Sequence, residues 1–197
     1  GNTVSILSSG TTTITATQAG NANYLPASEE QILSVSDVTK LDQTITFVGP
    51  DDRVFGDAPF ELSATATSGL VVSFESSDES VATVSGSTVT IVGAGTTMIT
   101  AIQNGDQDYL SAESVGQPFE VIAAGLVVTP DDQEVVYGEA LPEFTYSISG
   151  FVNGEDEQVL LAQPQAGAGL SGIPDAGVYE ITSSGGEAAN YSFVYTE

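Results

Sequence analysis

The sequence predicts an all-β fold, and three observations predict it. Short runs alternate β-branched or aromatic residues with polar ones, as in Thr3-Val4-Ser5-Ile6 and Thr11-Thr12-Thr13-Ile14-Thr15-Ala16. Gly, Pro, Asp and Ser clusters cut these runs at close intervals, which is strand-and-turn punctuation rather than a helical period. The third observation is an internal repeat. Residues 1–24 return as residues 86–109, so that a shift of 85 pairs Gly1 with Gly86, Val4 with Val89, Ile6 with Ile91, Ile14 with Ile99, Gln18 with Gln103 and Tyr24 with Tyr109. That spacing is one small β-domain, and the chain reads as a window onto a domain array.

Composition bounds the function. Twenty-seven Asp and Glu face only Lys40 and Arg53, a net charge of −25 in 197 residues. Nucleic acid needs Lys and Arg to displace its counterions, so it is excluded as a partner. An anionic membrane surface is excluded for the same reason, and no run is long enough for membrane insertion. Cys and His are both absent, which removes disulfides, thiolate metal sites and the commonest general base. Residue 1 opens no signal peptide, so an export signal is expected outside this window. With two basic residues, trypsin-like proteases find almost nothing to cut, which suits an extracellular chain.

The elements follow in order. Residues 1–38 carry strands at 3–6, 11–16 and 31–35 around an Asn21-Ala22-Asn23 loop. They match only the second half of the next unit, so they read as the C-terminal half of a repeat. Half a sandwich leaves its sheet face and edges bare, so the front half was either cut away or is supplied by a neighbouring chain. Residues 39–124 are a complete unit, with strands expected at 43–48, 60–67, 71–75, 81–85, 88–92, 96–102 and 118–122. Seven short alternating strands are the pattern of an immunoglobulin-type β-sandwich. Ile45, Phe47, Leu62, Val81, Val89, Ile99, Phe119 and Val121 are among its core candidates. The fold class is therefore tandem immunoglobulin-like β-sandwich domains, beads on a string.

Ala123-Ala124-Gly125 is the joint to a third unit, residues 125–197. Its opening echoes the second: Val54-Phe55-Gly56-Asp57 follows Pro50-Asp51-Asp52, and Val136-Tyr137-Gly138-Glu139 follows Pro130-Asp131-Asp132. Late strands are expected at 177–181 and 190–195, with one further strand expected beyond Glu197.

At these residues two families are recognisable. Gln43-Thr44-Ile45-Thr46-Phe47, Val81-Ala82-Thr83-Val84 and Gly93-Ala94-Gly95-Thr96-Thr97 resemble a bacterial Ig-like repeat. Val136-Tyr137-Gly138, Pro142-Glu143-Phe144-Thr145-Tyr146, Gly177-Val178-Tyr179 and Asn190-Tyr191 resemble the MBG repeat of very large bacterial surface proteins, notably in Bacteroidota. The resemblance implies stalks, adhesins and filaments that are secreted or anchored at the bacterial cell surface, some serving gliding motility. It offers no catalytic residues.

The acidic turns are the only site candidates. Asp106 and Asp108 sit two residues apart, and Ca²⁺ is weighed there. Calcium wants six to eight oxygens, no EF-hand loop is present, and the sister turn Asn21-Ala22-Asn23 has no charge. Ca²⁺ at the domain joints, through Asp37, Asp42 or Glu120, is the other cation reading, because rigid beads need stiff joints. A glycosidase carboxylate pair needs a cleft that thin sandwiches do not offer. Tyr24, Tyr109, Tyr137, Tyr179 and Tyr191 could form a sugar-stacking platform, but a Tyr that seals a sandwich corner is the plainer account. Lys40 could form an isopeptide with an Asn, and Asn190-Tyr191-Ser192 formally fits a glycan acceptor.

The expectation is a non-enzymatic structural segment of a surface adhesin, stalk or filament. Its partners would be neighbouring repeats of the same protein or filament, with surface glycans or host surfaces beyond them. The alternative is a polysaccharide-binding module of a secreted protein.

Overall fold

The computed structural model describes residues 3–36, 39–170, 172 and 174–196. Asp37, Glu197 and the expected boundary at residue 38 lie outside the described residues. The fold is all-β and sandwich-type, with a single 3₁₀ turn among the described residues, at Glu157–Val159.

Strands β1 (Gly10–Gln18) and β2 (Ala27–Val35) form an antiparallel hairpin, with Gly10 opposite Val35 and Gln18 opposite Ala27. Among the described residues they pair only with each other. The strand expected at residues 3–6 is not formed. Its sister segment pairs with two other strands, and the first unit offers neither, so an alternating sequence has no ladder to join.

The central unit carries β3 (Ile45–Phe47), β4 (Arg53–Val54), β5 (Phe60–Glu61), β6 (Ala64–Ala66), β7 (Ser73–Ser76), β8 (Ala82–Ser85), β9 (Thr88–Ile91), β10 (Gly95–Ile102) and β11 (Val115–Ile122). One sheet runs β4-β11-β10-β7; β5-β9-β8 and the β3-β6 pair make up the rest. Ile45, Phe47, Leu62, Val81, Val89, Ile99, Phe119 and Val121 are all buried. Phe60 meets Phe119 edge-on at 5.5 Å, and Phe47 meets Phe74 at 5.3 Å. The strand expected at 60–67 is two strands. β5 pairs with β9 while β6 pairs with β3, and the chain changes partner at buried Leu62, whose N–H donates to the Ser87 carbonyl at 2.8 Å. The strand expected from residue 71 starts at Ser73, and Val71 is exposed. β4, not expected from its sequence, pairs in parallel with β11.

The last segment holds β12 (Ala124–Pro130), β13 (Tyr146–Ser149), β14 (Leu160–Gly167), β15 (Thr182–Ala188) and β16 (Tyr191–Tyr195). β12 lies between antiparallel β13 and parallel β16, and β14 pairs with β15. The late strand expected at 177–181 is a correction: no strand forms there, and Val178 is fully exposed. The strand is Thr-Ser-Ser-Gly-Gly-Glu-Ala, β15, which has almost no apolar signal. Its pairing with β14 and the seat of the Phe193 ring against Gly186 hold it instead.

Only Ala123 separates β11 from β12. Ala124 and Leu126 are buried in the same apolar cluster as Phe119 and Val121, and the cluster continues to Phe55 and Tyr191.

Candidate functional site

The Asp106–Asp108 turn is an Asx turn. The Asp106 carboxylate accepts the N–H groups of Asp108 at 2.8 Å and Tyr109 at 2.9 Å through one oxygen. In the sister turn the Asn21 amide oxygen accepts the N–H groups of Asn23 at 2.9 Å and Tyr24 at 3.1 Å. Gly20 and Gly105 both have φ near +75°, at +75° and +74°. A Cβ at Gly20 would sit 2.6 Å from the Tyr24 carbonyl, and one at Gly105 would meet the Tyr109 carbonyl. The two loops are the same object, and Asp106 does for its turn what a neutral amide does for the other. Asp108 is exposed, as are Asp42 and Glu120. Among the described residues, no three acidic side chains gather closely enough to hold a metal ion. Lys40 reaches the same turn, where its Nζ donates to the Asp106 carbonyl at 2.6 Å.

Two other carboxylates serve turns and edges. Hydroxyls of Ser87 and Thr88 hold Glu61 below the usual carboxylate range, each at 2.6 Å. The side chain of Ser80 and then its backbone N–H do the same for Asp78.

A concavity of about 1040 Å³ is lined by the 129–144 segment on one side and by Ala168, Leu170 and residues 174–181 on the other. Tyr137 and Tyr179 both line it, together with Asp131, Glu139, Asp175 and Glu180. Tyr137 is 70% exposed and Tyr179 42%. The Tyr179 hydroxyl donates to the Asp175 carbonyl at 3.0 Å. Both tyrosines stand on loops, not in a row on a sheet face. Tyr24 is also exposed, in the first hairpin.

Tyr191 is the corner tyrosine. It is buried, and its ring meets Phe55 at 5.6 Å and Phe151 at 5.5 Å, both edge-on. Its hydroxyl donates to Glu155 at 2.5 Å and accepts from the Val152 N–H at 3.2 Å. Burial first, then the Glu155 bond, raises its pKa above the usual phenol. Beside it, the Asn190 side-chain oxygen accepts the Ala94 N–H at 2.9 Å, so the formal glycan acceptor instead ties the central unit to the last one.

Sequence reasoning passed over Phe55, which is 4% exposed. Its echo marks the position, not the burial. Val54–Asp57 and Val136–Glu139 are the same turn, each closed by an N–H to carbonyl bond of 3.0 Å. Gly56 and Gly138 supply the positive φ, at +97° and +92°. Phe55 and Tyr137 occupy one position in that turn, the first buried and the second open to solvent.

No curated protein matches the chain. The comparison with family models speaks for the last part of the chain, where β12 to β16, the Tyr191 corner and the Tyr137-Gly138-Glu139 turn all lie: residues 126–197 match the MBG domain (YGX type), a structural repeat domain of surface proteins.

Proposed function

We propose that the chain is a structural repeat segment of a bacterial cell-surface adhesin, stalk or filament, with an Ig-like unit at residues 39–124 joined stiffly to the MBG unit. One observation carries this reading, the junction. A single residue links β11 to β12, one apolar cluster runs through it, and Phe55, Tyr191, Ala94 and Asn190 clamp it. A joint that buries aromatic rings resists bending, whereas separable domains meet through more polar surfaces. A solvated surface of charge −25 keeps such a rod from collapsing on itself. The shared turn supports repetition: Tyr137 stands where Phe55 stands, poised for the same task toward a further unit. Gliding motility is one role that such a rod would serve, and the expected setting is outside the cell. Small-angle scattering of a polypeptide with several repeats tests the proposal. An elongated particle is expected, and a compact globule would sink it.

The second reading is a polysaccharide-binding module, favoured by the groove that Tyr137 and Tyr179 share. Tyrosine faces stack on sugar rings, and the groove's carboxylates can accept sugar hydroxyls. A glycan array run with the Tyr137→Ala and Tyr179→Ala variants separates the readings. Glycan binding that both variants lose favours the module; no binding leaves Tyr137 to the junction role.

A further inference from the structure

The first hairpin has a sister in the central unit, and the sister's matching face is covered. Shifting β1 by 85 and β2 by 86 lays their register on that of β10 and β11: Gly10 opposite Val35 becomes Gly95 opposite Val121, and Thr12 opposite Leu33 becomes Thr97 opposite Phe119. In the central unit Ile99 and Ala101 are 0% exposed, Phe119 1% and Val121 2%. Their counterparts Ile14 and Ala16 are exposed, and Leu33 and Val35 only half-buried. The polar counterparts agree. Thr97 accepts the Asp78 N–H at 2.9 Å and bonds the Ser76 hydroxyl at 2.9 Å, while the Gln103 oxygen accepts from Gln43 at 2.9 Å. All of those partners belong to the front half of the unit. Thr12 and Gln18 keep the same residue types and are exposed, with no front half described around them. The loop agrees too. Leu41 pairs in parallel beside Tyr109, and nothing described pairs that way beside Tyr24.

We propose that the face formed by Thr12, Ile14, Ala16, Gln18, Leu33 and Val35 binds the front half of another Ig-like unit, a segment built like residues 39–85 of this chain. The occupant would add a strand like β7 along the outer edge of β1 and lay residues like Ile45 and Phe47 over Ile14 and Leu33. The inference stands on the internal repeat and holds whether or not the chain works at a cell surface.

Two experiments test it. In the first, a polypeptide of residues 39–85 is added to the intact chain, and amide exchange is followed across residues 10–35. In the second, a copy of residues 39–85 is fused directly ahead of Gly1, the junction that Ser85-Gly86 makes in the central unit. Exchange in residues 10–35 is expected to slow by about 100-fold or more in the fusion, as it does when edge strands become interior ones. The Ile14→Asp, Leu33→Asp double variant should abolish that protection and leave the central unit's exchange unchanged. Three results would overturn the proposal. One is unchanged exchange in the fusion. Another is protection that survives the double variant. The third is a dimer of the unfused chain, dissolved by the double variant and indifferent to added polypeptide, which would assign the face to a second copy.

Discussion

The rings of Phe55 and Tyr191 meet edge-on, 5.6 Å apart with their planes at 87°. One belongs to the turn just after β4 and the other opens β16, so the contact spans the junction of the central and last units. Gly56 lets it form. A Cβ there would fall 2.6 Å from a Val152 methyl, so only glycine admits the approach.

Truncating this contact is predicted to uncouple the two units. Phe55→Ala should cost about 3–5 kcal/mol, the usual loss for a buried aromatic ring. Chemical denaturation of the intact chain should show one main transition in the parent and two separated ones in the variant. Superimposable curves would mean that the rings touch without coupling anything.

The Asp106 turn gives a prediction in the opposite direction. Asn21 performs the same capping in the sister loop, so Asp106→Asn should leave stability within about 0.5 kcal/mol. Asp106→Ala removes the acceptor for two N–H groups and should cost about 1 kcal/mol. Thermal melts with and without millimolar Ca²⁺ complete the test. A calcium-dependent rise that Asp106→Asn abolishes would restore a cation to this turn.

The sequence disclosed what period and repetition encode. Strands with β-branched alternation, such as β3, β9 and β10, lie where the pattern put them, and so do core residues such as Ile99 and Phe119. It misled where a strand depends on its partner more than on its own residues. Residues 3–6 alternate well and form nothing, because no ladder receives them, while β15 has Gly and Ser for side chains and forms because β14 does. The junction was hidden for a related reason. Phe55 lies in a turn, where no period marks a residue as buried, and Asn190 was legible as the start of a strand, as part of the MBG resemblance and as a formal glycan acceptor, but not as a tie to Ala94. The echo marks the Phe55 position as one that the two turns share, but its burial depends on the neighbouring unit, since Tyr137 at the same position is exposed.

Acid should weaken specific turns. The folded pKa values of Glu61 and Asp78 are lowered by hydroxyl and backbone donors. A lowered folded pKa gives stability above the unfolded values, about 4.3 for Glu and 3.9 for Asp, and loses it as pH falls through the folded ones. General protonation also relieves the self-repulsion of a −25 chain, which opposes the loss. The readout is therefore a difference. The stability gap between parent and the Glu61→Gln, Asp78→Asn double variant should be widest near neutrality and close below about pH 4. A gap that stays constant from neutrality into strong acid would sink the assignment.

Alkali should act on the corner. The Tyr191 phenol is raised by burial and by its bond to Glu155, so its neutral form is the one that the fold holds. A raised folded pKa gives stability that is complete below the unfolded value, about 10, and lost as pH climbs through the folded one. Ionising the hydroxyl would set a phenolate against the Glu155 carboxylate and remove a donor from the junction. Stability measured from pH 8 upward should fall more steeply in the parent than in Tyr191→Phe, which has no proton to lose there. Tyr146, also raised by burial and by nearby Glu157, is the control, since Tyr146→Phe leaves the Tyr191 corner intact. If Tyr191→Phe declines as steeply as the parent while Tyr146→Phe does not, the alkaline weak point lies at β13 rather than at the junction.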